Sequence, residues 1–402
     1  MQKKYKLIFS FLICIHTVLL ILTLSEKLNV FFNDASLRKG KAADFFAIYQ
    51  AGNNILQRES LYLDTEGVST PYSFPFRYLP FPGYTLGVFF NLFSPFSAYY
   101  LLILLYEIIL GINIYLTWKL SKKTQVFILA CIPWLVFSPY LIEMFMGQWT
   151  FLVSSILFYT IYGLINKSKM INFFILAPIV KPNALIIAPL LLKYRKYKTL
   201  ILTGLATLLS SIPYFIVFQD DISTFMQNFS DSWYSHGGNL GLKSLYYLVA
   251  IKYLSIPLPR LWFLMFMSAT GLLVLYLTFK FKDKVLSFSL WLCYYFLIYK
   301  DVWEHHFVLL MPIYALIIVQ FQMNVRKLIS KKNILLLLSF LLIASPSLFI
   351  FQYLIVDSAP VEPDSLSSLF VLPYHSLKIL GVILLFVWSI VQVAKDNSKI
   401  IN

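Results

Sequence analysis

Long apolar runs alternate with short polar stretches from one end of this chain to the other. A helix rises ~1.5 Å per residue, so about 20 apolar residues cross the ~30 Å hydrocarbon core of a bilayer. The runs predict spans near residues 7–24, 99–118, 124–142, 149–166, 199–218, 261–280, 285–299, 307–323, 333–356 and 376–394. The expected class is an all-α polytopic membrane protein with about 10 to 13 spans once bent segments are counted. Residues 171–192 resist simple counting, because they are apolar yet flanked by lysines at both ends. Pro182 disfavours helical backbone at Lys181, so the segment reads as a bent hairpin with Lys181-Pro182 at its tip. Residues 79–97 are also apolar, but a full span there breaks the alternation of the loops; they read as a segment dipping in from the outer face. Broken backbone at membrane depth is tolerated only beside protein or a wet cavity, which points Lys181 toward a cavity.

Composition and charge orient this bundle. The 402 residues are 59% hydrophobic and 13% charged, half the ~25% charged share of ordinary soluble domains. The formal charge of +15 therefore argues for topology and anionic lipid headgroups, not for nucleic acid. Basic clusters stand at Lys3/Lys4/Lys6, Lys119/Lys122/Lys123, Lys167/Lys169, Lys193/Arg195/Lys196/Lys198, Lys280/Lys282/Lys284, Arg326/Lys327/Lys331/Lys332 and Lys395/Lys399. With the ten spans, all seven fall on one side, which the positive-inside rule makes cytoplasmic, together with both termini. The outer loops are then 25–98, 143–148, 219–260, 300–306 and 357–375. The first span follows a basic N-terminus but no small-x-small cleavage site, so it reads as a retained anchor. Cys14, Cys131 and Cys293 lie inside apolar spans, which argues against a disulfide framework or a thiolate metal site. No repeat or linker divides the chain, and residues 1–402 read as one integral-membrane domain.

The polar residues able to do chemistry collect on the outer side. Residues 41–56 place Phe45, Ile48, Tyr49, Ile55 and Leu56 at helical spacing, predicting an amphipathic helix that lies along the membrane surface. Asp44 opens it, either as an N-cap or as a reactive carboxylate; Ala47 leaves no capping box. Arg77 and Tyr78 close the same loop, and Arg77 also reads as a snorkelling end charge. Gln148 starts a span, where a glutamine is commonly a helix-end donor. His305 and His306 stand in the turn 300–306, either as an interfacial polar cap or as functional groups. Adjacent residues point ~100° apart on a helix, so they make a poor metal pair. An intramembrane cation such as Lys181 is a functional candidate by default, and Glu107 reads either as its partner or as a local structural pair. No Gly-rich nucleotide cradle is present.

Taken in order, Asp44 with Tyr49 and Ala51, Leu61-Tyr62, Tyr78-x-Pro80, Gly147-Gln148, Lys181-Pro182 and Glu304-His305-His306 resemble glycosyltransferase family 87. The resemblance runs from about residue 40 to 315. It departs where Leu79 follows Tyr78 instead of a small residue. It implies a C-type glycosyltransferase fold and transfer of a hexose, mannose being the leading candidate, from a polyprenyl-phosphate donor. The acceptor would be a glycan or glycolipid hydroxyl on the outer side of the cytoplasmic membrane. Asp44 would be the base and His305 or His306 its partner; Lys181, Arg77, Gln148 and Tyr78 are the donor-phosphate candidates, Arg77 by its charge and not through the resemblance. No cofactor or metal is implied. The rival classes are a transporter or flippase for an anionic lipid or sugar, and a lipid-linked glycan polymerase or ligase.

Overall fold

A computed structural model describes residues 2–28, 40–63, 69–71, 75–227, 239–347 and 368–401. Every regular element among them is helical. Five helices are long and apolar enough to cross a membrane, namely Lys3–Leu24, Pro95–Leu120, Tyr197–Val217, Pro259–Lys280 and Leu372–Lys395. Each coincides with an expected span, and the chain is a multi-pass membrane protein. A sixth span is available if Thr124–Leu135 and Ser138–Met146, bent by 41°, act together. Pro133 inside the first of these and Pro139 at the start of the second account for the break, since each removes a helical N–H.

The remaining four expected spans are shorter helices, Thr150–Asn166, Lys284–Ile298, Glu304–Gln320 and Ile334–Ala344. Of the ten expected spans, five, or six with the bent pair, are long and apolar enough by themselves to cross a membrane among the described residues. Helices that are apolar all round belong either in lipid or inside protein, and a sequence pattern does not separate the two cases. Thr150–Asn166 and Lys284–Ile298 are buried around almost their whole circumference. The expected extension of the ninth span to residue 356 lies outside the described residues.

The chain divides into two compact units, one of Arg38–Ile112 with Glu143–Asp231, the other of Met1–Leu37, Asn113–Ile142 and Ser232–Asn402. In the first, the helix Ala43–Leu56 forms where expected but does not lie along a surface. Eleven of its 14 residues are buried, including the polar Asp44, Gln50 and Asn54. The apolar stripe was legible, but Gly52 in its middle and Ala47 and Ala51 on the far side are small enough to admit close neighbours. A Cβ on Gly52 would fall on the backbone of Gly87, within the π-helical turn Gly83–Gly87. Gln50 Nε2 donates to Asn54 Oδ1 at 2.8 Å, and Asn54 Nδ2 donates to the carbonyls of Ser60 and Leu63. Residues 80–90 form a helical run interrupted by that π-turn, not a full span.

In the second unit, Thr124–Leu135 packs against Lys3–Leu24 and Met311–Gln320. Helix Ser368–Ile401 packs against Ile334–Ala344 and Lys284–Ile298. Polar contacts fasten these apolar helices, among them Trp134 Nε1 to Thr117 Oγ1 at 3.0 Å and Ser289 with Ser389 at 2.9 Å.

Candidate active site

Two left-handed residues build the first unit's polar centre. Helix Ser138–Met146 ends in a Schellman turn: Gln148 N–H donates to Glu143 O at 3.1 Å and Gly147 N–H to Met144 O at 3.2 Å. Gly147 holds φ +66°, and a Cβ there would lie 2.6 Å from Phe45 Cβ. Ala42, also left-handed at φ 67°, donates its N–H to Phe145 O at 2.8 Å and starts helix Ala43–Leu56. That bond satisfies one of the last-turn carbonyls a helix leaves without an internal partner. Together these turns set Asp44, in the first turn of one helix, beside Gln148, just past the end of the other. Tyr99 and Tyr106 brace the junction through their hydroxyls, on Met144 O and Gln148 O at 2.8 Å each.

Asp44 is therefore not the N-cap, a position held by Ala42. Its carboxylate, only 7% exposed, takes a hydrogen bond from the Gln148 side chain and feels the charges of Lys181 and Arg77. Burial pushes its pKa up from 3.8 to about 6, against the opposing pull of Gln148, Lys181 and Arg77 in that order. The Gln148 amide is oriented by its own carbonyl, which accepts from Tyr78 Oη at 2.9 Å and Lys181 Nζ at 3.1 Å. With Oε1 so occupied, the amide N–H₂ is what faces Asp44.

Lys181 sits where the helical path breaks, as Pro182 requires, with extended backbone at φ −140° between Ala177–Val180 and Pro182–Ile187. It is buried, donates to Thr150 Oγ1 at 2.7 Å as well as to Gln148, and lies 5.7 Å from the Tyr78 ring centre. Its ammonium thus spends two of three donors on described residues. The carboxylates acting on it are Glu143 and Asp44. Glu107, half-buried on Pro95–Leu120, is not among them.

Two members of this group are not singled out by sequence reasoning. Glu143, fully buried, accepts the Phe151 N–H at 2.6 Å and so caps helix Thr150–Asn166 from the preceding helix. Thr150 supplies the hydroxyl for Lys181. The usable signal is Gly147 after an apolar run, which marks a helix end and extends the helix to Met146; the expected loop 143–148 shrinks to its last residues.

A second polar relay supports Tyr78 from behind. Asp221 accepts from Ser60 Oγ at 2.7 and 2.8 Å and from the Tyr214 hydroxyl, while Tyr214 Oη accepts from Leu61 N–H at 2.8 Å. This ties down the Leu61-Tyr62 turn, whose Tyr62 hydroxyl donates to Tyr78 O at 2.8 Å. Arg77 is exposed.

His305 and His306 belong to the other unit. Both are buried in the turn of 3-10 helix Glu304–Leu310. Trp303 N–H donates to His306 Nδ1 at 3.0 Å, which leaves the proton of a neutral ring on Nε2. The His236-Gly237-Gly238 stretch and most of the loop 357–375 lie outside the described residues.

No protein-family model and no curated protein matches the chain.

Proposed function

We propose that this protein is a membrane glycosyltransferase that moves a hexose from a polyprenyl-phosphate donor to a hydroxyl of a glycan or glycolipid. The observation that carries the reading is Asp44: a buried carboxyl with a pKa near 6, oriented by an amide that a lysine in turn orients. A general base works best with a pKa near the operating pH. A cation with a donor to spare is what a departing phosphate needs.

In the reaction so read, the acceptor hydroxyl gives its proton to Asp44 as its oxygen forms a bond to the anomeric carbon. The bond from that carbon to the phosphate oxygen breaks, and the electron pair leaves with polyprenyl phosphate. Lys181, through its third N–H, and the exposed Arg77 stabilise the developing phosphate charge. Gln148 holds the carboxylate in place, and Tyr78 holds Gln148. Direct displacement by the acceptor oxygen gives inversion at the anomeric carbon, the neighbouring carboxylate Glu143 being buried and engaged with the Phe151 N–H. One of the His305-His306 pair takes part in the reaction, a role that rests on the resemblance. The acceptor side is the outer face of the cytoplasmic membrane, the side that the expected ten-span alternation of basic clusters leaves outside.

The test is purified protein in lipid nanodiscs, supplied with polyprenyl-phosphate hexoses and candidate glycolipid acceptors. Release of polyprenyl phosphate together with a glycosylated acceptor is the expected result, abolished by Asp44→Asn. Turnover of a nucleotide sugar without lipid donor would overturn the reading. The helix broken at a buried lysine also suits a transporter of anionic lipid, for which the same preparation would move labelled lipid across the bilayer without forming product. Orientation is tested separately: a cysteine placed at Asp64 should be labelled from outside, and one at Lys122 should not.

A further inference from the structure

The second unit holds a buried ion pair with no part in that chemistry. Lys378 Nζ lies 3.0 Å from Glu304 Oε1, with side chains 0% and 1% exposed. The remaining donors of the ammonium go to Ile343 O at 2.7 Å and to Ser345 O, at the C-terminal end of helix Ile334–Ala344. A cation there completes the helix end and opposes its dipole. Glu304 Oε1 also accepts the N–H of Ser347 at 2.9 Å.

One turn earlier on the same helix, His375 Nδ1 bonds Asn239 O at 2.8 Å. Asn239 in turn clasps the turn before the histidines, with Oδ1 accepting from Val302 N–H at 3.2 Å and Nδ2 donating to Lys300 O at 2.5 Å. Leu240 N–H adds a bond to Val302 O at 2.7 Å. Thus helix Ser368–Ile401 grips the segment 300–304 at both ends, once through His375 and Asn239 and once through Lys378 and Glu304. The next two residues are His305 and His306.

We infer that Lys378, Glu304 and His375 are positioning residues that fix the His305-His306 turn, so that the C-terminal helix sets where those two rings stand. The inference rests on the proposed transfer reaction for its kinetic consequence, but not for its structural one. Apolar packing would serve stability as well, because a buried ion pair offers little net gain over hydrophobic residues of similar volume. What an ion pair with all three ammonium donors assigned supplies, and two leucines do not, is a defined position for the Glu304 backbone. His306 Nδ1 is already committed to Trp303 N–H, so a shift of that backbone moves both rings together.

Lys378→Met alone strands a buried carboxylate and should lower the melting temperature in detergent. The double variant Glu304→Leu with Lys378→Met removes the stranded charge, though it leaves Ser347 N–H and the carbonyls of Ile343 and Ser345 without these partners, and should melt above Lys378→Met. Its kcat should nonetheless stay lower by on the order of 10²-fold, with little change in KM for the donor, as misplacement by about an ångström can cause. Amide exchange across residues 300–307 should be faster. His375→Phe, which keeps the ring volume and deletes one hydrogen bond, covers the case in which the double variant does not fold; it should lower kcat and speed the same amides. Wild-type kcat and wild-type exchange in either folded variant would overturn the inference. If the wild-type protein transfers no sugar from polyprenyl phosphate, the proposed function fails, and the exchange of residues 300–307 still decides this one.

Discussion

Lys181 and Lys378, two of the buried lysines, invite comparison because the same side chain does opposite work. Both sit in apolar surroundings within hydrogen-bonding reach of several oxygens. Lys378 has a direct carboxylate partner at 3.0 Å and carbonyls for its other two donors. Lys181 has two neutral acceptors, Gln148 and Thr150, and takes its countercharge at longer range from Glu143 and Asp44. A saturated ammonium holds structure, whereas one with an unassigned donor and no direct anion is prepared to receive an anion. The carboxylates divide the same way: Glu304 is locked to Lys378 and Ser347, whereas Asp44 is held by a neutral amide and pushed toward neutrality by burial.

The largest effect should come from Asp44→Asn. Asparagine keeps the size of the side chain and can still accept from Gln148, but it cannot take a proton. Turnover should fall by ~10²–10⁴-fold. Stability should move the other way. The folded pKa of about 6 lies above the ordinary 3.8, so the stabilisation from the protonated form is full below 3.8 and gone once pH passes about 6. The variant stays neutral throughout; its advantage over wild type should grow across that window and level off near ~3 kcal/mol, about two units at 1.36 kcal/mol each. Melting curves at pH 4.5 and 8 check this. In the wild type, kcat/KM should fall tenfold per unit below pH about 6, as the base is titrated. An acid-insensitive rate would remove Asp44 from the role of base.

Gly147→Ala should be next. It places a side chain at φ +66°, where an L-residue costs ~1–2 kcal/mol, and sets a methyl 2.6 Å from Phe45 Cβ. A combined loss of about 2–4 kcal/mol is expected, read as a lower melting temperature, with activity falling as Gln148 and Asp44 separate. A well-folded Gly147→Ala protein with wild-type turnover would mean that the Schellman turn does not set the geometry of the site.

How much of this contrast was legible in the sequence follows from the range of each interaction. Lys181 stood out because Pro182 breaks the helix there, a local rule acting on one neighbour. Asp44, Tyr78 and Gln148 were legible as an ordered set with Lys181, and the structure brings all four together. Lys378 was not. It lies two residues inside the expected span 376–394, where an end lysine reads as snorkelling, and its partner Glu304 is in a distant loop that no periodicity reaches. Glu143 was hidden for a related reason: the apolar run was taken to end at residue 142, so a helical residue read as a loop charge. The full circumference of Ala43–Leu56 was hidden because small residues look neutral in a pattern of hydrophobicity, although Ala47, Ala51 and Gly52 are what let that helix be buried.

Lys181→Met sharpens the comparison between the lysines. Loss of the ammonium should raise KM for the donor ~10–10²-fold, the scale of one lost charge-assisted contact. It also removes one of the charges that hold the Asp44 pKa down, so the acid limb of the rate profile should move above pH 6. Lys378→Met should leave that limb where it is. A shift of the limb in both variants, or in neither, would break the distinction between a lysine that serves the reaction and one that serves the scaffold.

Tyr78→Phe should have the smallest effect, and the reason lies in the redundancy around Gln148. The carbonyl of that amide accepts from both Tyr78 Oη at 2.9 Å and Lys181 Nζ at 3.1 Å. Deleting the phenol removes one neutral hydrogen bond, worth about 0.5–1.5 kcal/mol, but leaves the ammonium to keep the amide N–H₂ turned toward Asp44. Turnover should drop only ~2- to 10-fold, in line with that energy. In the Lys181→Met background the same substitution deletes the last of these two anchors, leaves that carbonyl only the long contact from Trp149 N–H at 3.4 Å, and lets the amide turn far more easily. The two changes should therefore combine to more than the product of their separate effects, with a coupling of at least ~0.5 kcal/mol in a double-mutant cycle. Strict additivity would mean that Gln148 is oriented by something other than Tyr78 and Lys181.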